Sequence, residues 1–378
     1  MIYFDNAATT VMSEASLRAL IEISSKQYGN PSSAYSFGRI AKELLEDSRA
    51  IIADCIGAEA EEIFFTSCGT ESDNWVISQA GSRWSKVITS KIEHHAILHP
   101  AEKCGTEGVR VSFLAANNQC IITKDELKRN LDGTPVLASV MMQNNETGVI
   151  QPVKELAEIV HSDNNESVFH TDAVQAVGHM RINVKEMGID MLSASAHKFN
   201  GPKGVGFLYI RKDCIVNPYI LGGGQENGLR SGTENVAGIY AMAKALEDNM
   251  NNLEENRIHI KYLEQLLMEL LSAAGINFMV NGDSAHRAAG IINIAITGLD
   301  GEGLLNMLDM HDICISIGSA CNSNSQNRTH VLKAMGISDE QIDSSVRISI
   351  GRYNTEDDVR TLVKWIIKYH NIATMTEA

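Results

Sequence analysis

Short apolar segments alternate with helical patterns along much of this chain, and this alternation constrains its fold more than any other feature. Residues 40–56 carry isoleucine and leucine at helical spacing, as expected of an amphipathic helix. Runs typical of buried strands occupy residues 62–66, 136–142, 168–171, 191–194 and 205–210. Strands separated by helices predict an α/β fold in which a mostly parallel sheet is covered by helices on both faces.

A long helical pattern covers residues 235–274, and the charges near Glu254 interrupt its apolar face. Further strand patterns follow at residues 291–296, 313–317 and 346–350. Because 378 residues exceed the size of one ordinary core, two domains are expected. The predicted division is a large domain of residues 13–254 and a small α+β domain of residues 1–12 and 255–378.

Charge and composition exclude several classes of function. The formal charge of −15 repels phosphate backbones, which argues against a nucleic-acid-binding protein. The sequence contains no apolar run of about 18 residues, and it starts without the basic and apolar regions of a signal peptide. Seven scattered cysteines without a C-x-x-C pair indicate reduced thiols in the cytoplasm, rather than disulfides or a structural metal site.

One lysine has the surroundings of a nucleophile. Lys198 lies in the turn between two apolar strands, next to His197 and before Gly201 and Gly204. Partial burial and neighbouring positive charge lower the pKa of such an amine, which suits it to form a Schiff base. A surface lysine in a glycine-rich turn is the commoner explanation, so other features must decide.

Two further segments carry residues that can bind parts of a ligand. Asp172 ends a predicted strand, where ligands approach an open α/β sheet, and a carboxylate there can keep a pyridine nitrogen protonated. The same aspartate could equally cap a following helix. Gly69 and Thr70 lie at a strand-to-helix turn, where a glycine and free helix N–H groups favour an anion. An ordinary helix N-cap by Thr70 or Ser67 is the alternative.

Cys321 differs from the other six cysteines by its neighbours. It lies among small and polar residues, from Gly318 to Ser325, and a reactive thiol needs such access. The other six are expected to be buried and inert. Residues 319–330 offer little apolar surface, so we expect a mobile loop that carries Cys321 between two positions.

These segments, in this order, resemble cysteine desulfurases of the NifS/IscS type, which are fold-type I pyridoxal-phosphate (PLP) enzymes of the class V aminotransferase family. The resemblance covers nearly the whole chain. It also includes Tyr28-Gly-Asn-Pro-Ser-Ser33, Glu93-His94, Asn144-Asn-Glu-Thr-Gly148, Gly222-Gly-Gly-Gln-Glu226, Arg230-Ser-Gly-Thr-Glu-Asn235 and Arg347-Ile-Ser-Ile-Gly-Arg352. Cys68 and Asn227 depart from the family pattern, which has glycine and arginine at these places.

The resemblance implies a role for each matching residue. Lys198 would hold PLP, Asp172 would face the ring nitrogen, Gln175 would bond the ring hydroxyl oxygen, and His94 would stack on the ring and move protons. The phosphate would be held by Gly69, Thr70, Ser195 and His197, together with Thr233 from a neighbouring subunit. Asn145 and Arg352 would bind the substrate carboxylate, although a surface ion pair is the alternative for Arg352.

The implied activity is removal of sulfur from L-cysteine, which yields L-alanine and a persulfide on Cys321. The sulfur would pass to an acceptor protein, for iron–sulfur cluster assembly or another sulfur transfer. The protein would be a cytoplasmic homodimer without a resident metal, and Cys321 would at most be a transient iron–sulfur ligand. The alternatives are a selenocysteine lyase, an aminotransferase of the same fold, or an inactive sulfur carrier that binds a scaffold.

Overall fold

The computed structural model describes residues 1–318 and 329–376, and its main feature is a seven-stranded sheet in the order β2-β8-β7-β6-β5-β3-β4. The strands are, in chain order, β1 (Ile2–Tyr3), β2 (Ile63–Thr66), β3 (Lys86–Ser90), β4 (Arg110–Leu114), β5 (Leu137–Ser139), β6 (Val168–Asp172), β7 (Met191–Ser195), β8 (Gly206–Ile210), β9 (Phe278–Val280), β10 (Ile291–Ile296), β11 (Ile313–Cys314) and β12 (Ser345–Ser349).

The strands from β7 to β4 run parallel to one another, whereas β8 and β2 are antiparallel to their neighbours. The carboxyl ends of β5, β6 and β7 therefore meet at one edge of the sheet. This arrangement confirms the predicted α/β class with its mostly parallel sheet. The sequence patterns missed β3 and β4, which begin with the charged residues Lys86 and Arg110.

Helices pack on both faces of the large sheet and on the smaller sheet. They are, in chain order, α1 (Glu14–Lys26), α2 (Ser36–Ile56), α3 (Gly69–Ile77), α4 (His95–Thr106), α5 (Lys124–Arg129), α6 (Val153–Asp163), α7 (Val236–Asn251), α8 (Leu253–Ala273), α9 (Gly301–Asp309), α10 (His330–Ala334), α11 (Asp339–Asp343) and α12 (Glu356–Thr376). The helix predicted at residues 235–274 is in fact two helices, because the chain leaves helical geometry at Asn252.

A second core forms around the antiparallel sheet β12-β10-β9, with α8, α9 and α12 packed against it. The start of the chain belongs to this core. β1 pairs in parallel with β11, and Phe4 is fully buried there. The exact division at residues 12 and 254 stays a prediction.

Two expectations about loops and thiols need correction. The predicted loop of residues 319–330 lies mostly outside the described residues, but His330 begins α10 and Thr329 caps that helix. Cys104, Cys120 and Cys214 are buried as expected. Three further cysteines that were expected to be buried are partly exposed, namely Cys55, Cys68 and Cys314. Within the described ranges, no helix has the length and apolar character that a membrane crossing requires.

Candidate active site

A cavity of about 200 Å³ lies at the carboxyl ends of β6 and β7 and brings together most of the predicted site residues. The predicted residues that line it are Gly69, Thr70, His94, Asn145, Asp172, Gln175, Ser195, His197 and Lys198. Ala7 and Ala8 from the start of the chain also line it. Residues far apart in sequence therefore meet at one edge of the sheet, where ligands of open α/β sheets bind.

Lys198 ends a short 3-10 turn, Ala196–Lys198, that follows β7 directly. Its Nζ lies 2.6 Å from the carbonyl oxygen of Ala7 and 2.9 Å from that of Ala8. The backbone carbonyl of Lys198 accepts a hydrogen bond of 2.8 Å from His179 Nε2. The amine is thus held inside the cavity between the sheet and the first residues of the chain.

Asp172 is 5% exposed, and burial raises the pKa of its carboxyl to about 6. The amide of Val174 donates to Asp172 Oδ1 over 2.9 Å, and the positive charge of Lys198 also favours the ionised form. Residues 174–179 form turns, so the alternative that Asp172 caps a helix is wrong. The carboxyl instead faces the cavity, where it is available to a ligand.

The start of α3 has the features of an anion site. Gly69 is its first residue, and a Cβ there would lie 2.5 Å from Val174 Cγ2, so a side chain would displace its neighbours. Ser195 is 2% exposed, and its hydroxyl has no hydrogen-bond partner within residues 1–318 and 329–376. Free helix N–H groups beside an unsatisfied buried hydroxyl fit the oxygens of a phosphate group.

Two histidines of the cavity are neutral. Burial and the charge of Lys198 lower the pKa of His94 to about 4 and that of His197 to about 4. His94 caps α4, and its Nδ1 accepts a hydrogen bond of 3.1 Å from the amide of Ala96. The neutral His94 ring therefore carries its proton on Nε2.

Gln175 and Asn145 also line the cavity. Gln175 Nε2 donates to the carbonyl of Ala7 over 2.9 Å, so it shares that acceptor with Lys198. Asn145 is 9% exposed, and its backbone carbonyl accepts from Arg347 Nη1 over 3.0 Å. Both side chains reach the same space as Lys198.

Arg347 is a charged residue of the cavity that the sequence patterns did not single out. It lies in β12, lines the cavity, and has a side chain that is only 2% exposed. Its Nη2 donates to Asp5 Oδ1 over 2.6 Å, whereas its Nε has no partner in the described part of the chain. The sequence could have indicated Arg347, because it is a charged residue inside a predicted buried strand. Charged side chains are seldom buried unless they have an ion-pair partner or a function.

Arg352 does not reach this cavity. Its Nη1 lies 2.8 Å from Asp248 Oδ2 and 3.2 Å from Asn249 Oδ1, in a half-buried ion pair. It lines a neighbouring cavity of about 350 Å³ between α7, α8 and β12. The ion pair proposed as the alternative for Arg352 is therefore present, its substrate contact stays a prediction, and Arg347 is the arginine that lines the cavity of Lys198.

Two other predicted residues are not part of this cavity. Thr233 lines a separate pocket of about 150 Å³ with Arg230 and Gly204. Its predicted role depends on a second subunit and stays a prediction. Cys321 lies outside the described residues.

Comparison with known proteins gives the family. The sequence model of the aminotransferase class-V family matches residues 2–362. The chain belongs to the class-V aminotransferase family. Within this family, the chain is 42% identical over 363 residues to a protein named cysteine desulfurase IscS from Methanosarcina thermophila, over 95% of this chain and 89% of that one. The resemblance predicted from the sequence is confirmed.

Solved structures of class-V relatives support the same fold. A NifS-like protein superposes with a TM-score of 0.91 at 36% identity, over 99% of both chains. A structure described as SspA in complex with cysteine superposes with a TM-score of 0.83 at 30% identity, over 94% of this chain and 100% of that chain. The predicted fold-type I architecture is therefore confirmed.

Proposed function

We propose that this protein is a PLP-dependent cysteine desulfurase, which converts L-cysteine to L-alanine and leaves a persulfide on Cys321. The observation that supports this most is one cavity that holds the Lys198 amine, the Asp172 carboxyl and the helix N-terminus at Gly69. The names of the relatives point to the same activity.

The residues of the cavity fit PLP. Lys198 would bond covalently to the aldehyde, and Asp172 would pair with the ring nitrogen. The phosphate would bind at Gly69 and Thr70, where the unsatisfied hydroxyl of Ser195 gains a partner. When bound, PLP withdraws electrons from the bonds at the α-carbon of an amino acid joined to it.

The remaining residues of the cavity bind and orient the substrate and move protons. Arg347 and Asn145 hold the carboxylate of cysteine, since a guanidinium fork matches a carboxylate and Nε of Arg347 has no described partner. The Lys198 amine and Nε2 of His94 line the same cavity and are the groups that accept and return protons. Gln175 would bond the ring hydroxyl oxygen.

Cys321 is the proposed acceptor of sulfur. Its thiolate attacks the sulfur atom of the substrate, so that a sulfur–sulfur bond forms and the carbon–sulfur bond breaks, with the electron pair remaining on carbon. That carbon takes up a proton, and alanine leaves. The persulfide then passes its outer sulfur to a thiol of an acceptor protein. This role depends on the sequence around Cys321.

We further propose a cytoplasmic homodimer in which each site receives Thr233 from the partner subunit. In one subunit, Thr233 lies in a pocket next to β2, away from the cavity that holds Lys198. A contribution from the neighbouring copy is consistent with this separation. Sedimentation that shows a monomer with tightly bound PLP would count against the shared site.

The proposed activity is tested with purified, PLP-loaded protein and L-cysteine. We expect alanine to form in solution and a mass increase of one sulfur atom on the peptide that contains Cys321. Cys321→Ser should keep PLP and bind cysteine, yet lose alanine formation by about a hundredfold or more, because the sulfur acceptor is gone. Alanine production by this variant at the parent rate would remove Cys321 from the mechanism.

The same assay separates the alternatives. An aminotransferase would form pyridoxamine phosphate and would not depend on Cys321. A selenocysteine lyase would act much faster on selenocysteine than on cysteine. An inactive carrier would form no alanine at all.

A further inference from the structure

Asp73 is a second carboxyl in the proposed PLP cavity, and nothing in the mechanism above uses it. It follows Thr70 by one turn of α3, so it lies on the helix whose N-terminus forms the anion site. It is 1% exposed and lines the cavity. A buried carboxyl in this position needs either a cation or a proton.

Among residues 1–318 and 329–376, the group within ion-pair distance of Asp73 is a histidine ring rather than a lysine or an arginine. Asp73 Oδ1 has no hydrogen-bond partner in the same part of the chain. The nearest ring nitrogen, His170 Nε2, lies 3.7 Å away, which is too far for a hydrogen bond. His170 is fully buried between the hydroxyls of Ser139 and Ser193, at 2.9 and 3.0 Å. Burial lowers the pKa of His170 to about 3, so the ring is neutral.

Asp172 is much better suited to carry a negative charge. It accepts a hydrogen bond from the amide of Val174, and Lys198 favours its ionised form. Asp73 is offered a hydrogen bond by Ser193, but burial and the charge of Asp172 outweigh it and raise the pKa of Asp73 well above its usual value. When the environments of two carboxyls differ in this way, the carboxyl with the higher pKa, here Asp73, holds the proton and the other is ionised.

We propose that Asp73 is a positioning residue that is held as the neutral acid, so that the pair with Asp172 carries one negative charge and keeps it on Asp172. The proposal deepens the proposed function, since it rests on PLP binding in this cavity. A neutral Asp73 leaves the positive end of α3 free to attract a phosphate group. An ionised Asp73, one turn from Thr70, would repel the same group.

Several other titratable or charged groups surround Asp73 or share its cavity. They are Cys68 before α3, Glu93 and His94 before α4, His170 and Asp172 of β6, His197 and Lys198 after β7, and Arg347 of β12. In their ionised forms, Glu93 and Cys68 would act on Asp73 in the same direction as Asp172. Burial raises the pKa of Glu93 to about 8, so this carboxyl is also neutral at pH 7.

The first test uses PLP-free protein and compares the parent with Asp73→Asn, which mimics the neutral acid in shape. An acid whose pKa is raised in the folded state stabilises the folded protein only in its protonated form. Its contribution to the free energy of unfolding is therefore lost as pH rises from the pKa of the unfolded state towards that of the folded state. The ratio of the folding constants of variant and parent should therefore grow about tenfold per pH unit between pH 5 and 7. Urea unfolding at several pH values measures this ratio.

Asp190→Asn is the matched control. Asp190 is also buried, but it pairs with Arg211 at 3.0 Å and with His161 at 2.7 Å. Removing its charge should lower stability at neutral pH, opposite to Asp73→Asn. A ratio for Asp73→Asn that does not change with pH, or a variant that is less stable throughout, overturns the neutral acid.

The second test measures the affinity for PLP from pH 7 to 9.5 by fluorescence titration. The urea ratio levels off at the pH where Asp73 ionises in the folded parent, and across that pH the parent should lose at least about threefold more affinity than Asp73→Asn. Parallel affinity curves overturn the role in cofactor binding. A protein that binds no PLP would refute the proposed function instead, and the urea experiment would still decide the protonation of Asp73.

Discussion

The cavity has two walls that are built in different ways. The sheet wall consists of Gly69, Asp172, Ser195 and Lys198, which all lie at or directly after the ends of strands. The C-terminal wall consists of Arg347, which lies inside β12 and is held by Asp5 and by the carbonyl of Asn145. The residues of the sheet wall are placed by their position relative to the strand ends. The residue of the C-terminal wall is placed by packing against segments that are distant in sequence.

The sheet wall should show the largest effect. Lys198→Ala should abolish the covalent bond to PLP and lower alanine formation by more than about a thousandfold, since no other amine takes part in the proposed mechanism. Absorbance spectra before and after borohydride treatment, followed by peptide mass analysis, check the attachment. PLP that remains covalently fixed in this variant would show that another amine serves as the anchor.

Arg347→Ala tests the C-terminal wall. The loss of a charged hydrogen bond of ~1.5–3 kcal/mol should lower kcat/KM for cysteine by about 10–150-fold, while the PLP spectrum changes little. Steady-state kinetics with varied cysteine measures the effect. Unchanged kinetics would show that Arg347 only joins Asp5 to the core.

Gly69→Ala should weaken the binding of PLP by about tenfold, within the ~1–3 kcal/mol typical of overpacking. The added Cβ would lie 2.5 Å from Val174 Cγ2, at the start of the helix that is proposed to bind the phosphate. Equilibrium titration with PLP measures the change. Gly105→Ala is the matched control, because a Cβ there meets Val111 Cγ2 at an ordinary 3.7 Å. Equal affinities for both variants would contradict the anion site at Gly69.

Arg352→Ala should have the smallest effect and sharpens the comparison between the two arginines. We expect kcat/KM for cysteine to fall by less than about threefold, while stability falls by ~1 kcal/mol through the loss of the Asp248 ion pair. Kinetics and urea unfolding of the same preparation measure both. A tenfold loss of kcat/KM with normal PLP binding would return Arg352 to the substrate site.

The sequence predicts the sheet wall well for a physical reason. A strand followed by a turn fixes where Asp172 and Lys198 lie, and parallel strands bring their ends to one edge. The same reasoning fails for Arg347 and Arg352, which are five residues apart around the end of one strand. Which of them faces the cavity depends on how β12 packs against Asp5 and α7, and no local pattern contains that information.

The neighbouring strands β3 and β4, at one side of the large sheet, were missed for a similar reason. The pattern of β4 is half exposed and begins with Arg110, so it lacks the continuous apolar run of the central strands. β3 is buried throughout, yet it begins with Lys86, whose amine pairs with Asp132 at 3.1 Å. A long side chain can be buried along its methylene groups while its charged end forms an ion pair. A prediction from the apolar pattern alone therefore misses a buried strand that contains such a residue.

The pairing of β1 with β11 has a consequence for how the protein is made. Ile2 and Tyr3 are synthesised long before their partners Ile313 and Cys314. At ordinary rates of translation this separates the two strands by a delay on the order of tens of seconds. Ala7, whose carbonyl accepts a hydrogen bond from the Lys198 amine, donates its own amide to Ser349 Oγ, which is synthesised later than both residues. Arg347 also lines the cavity around Lys198, so a nascent chain that ends before β12 lacks part of that cavity.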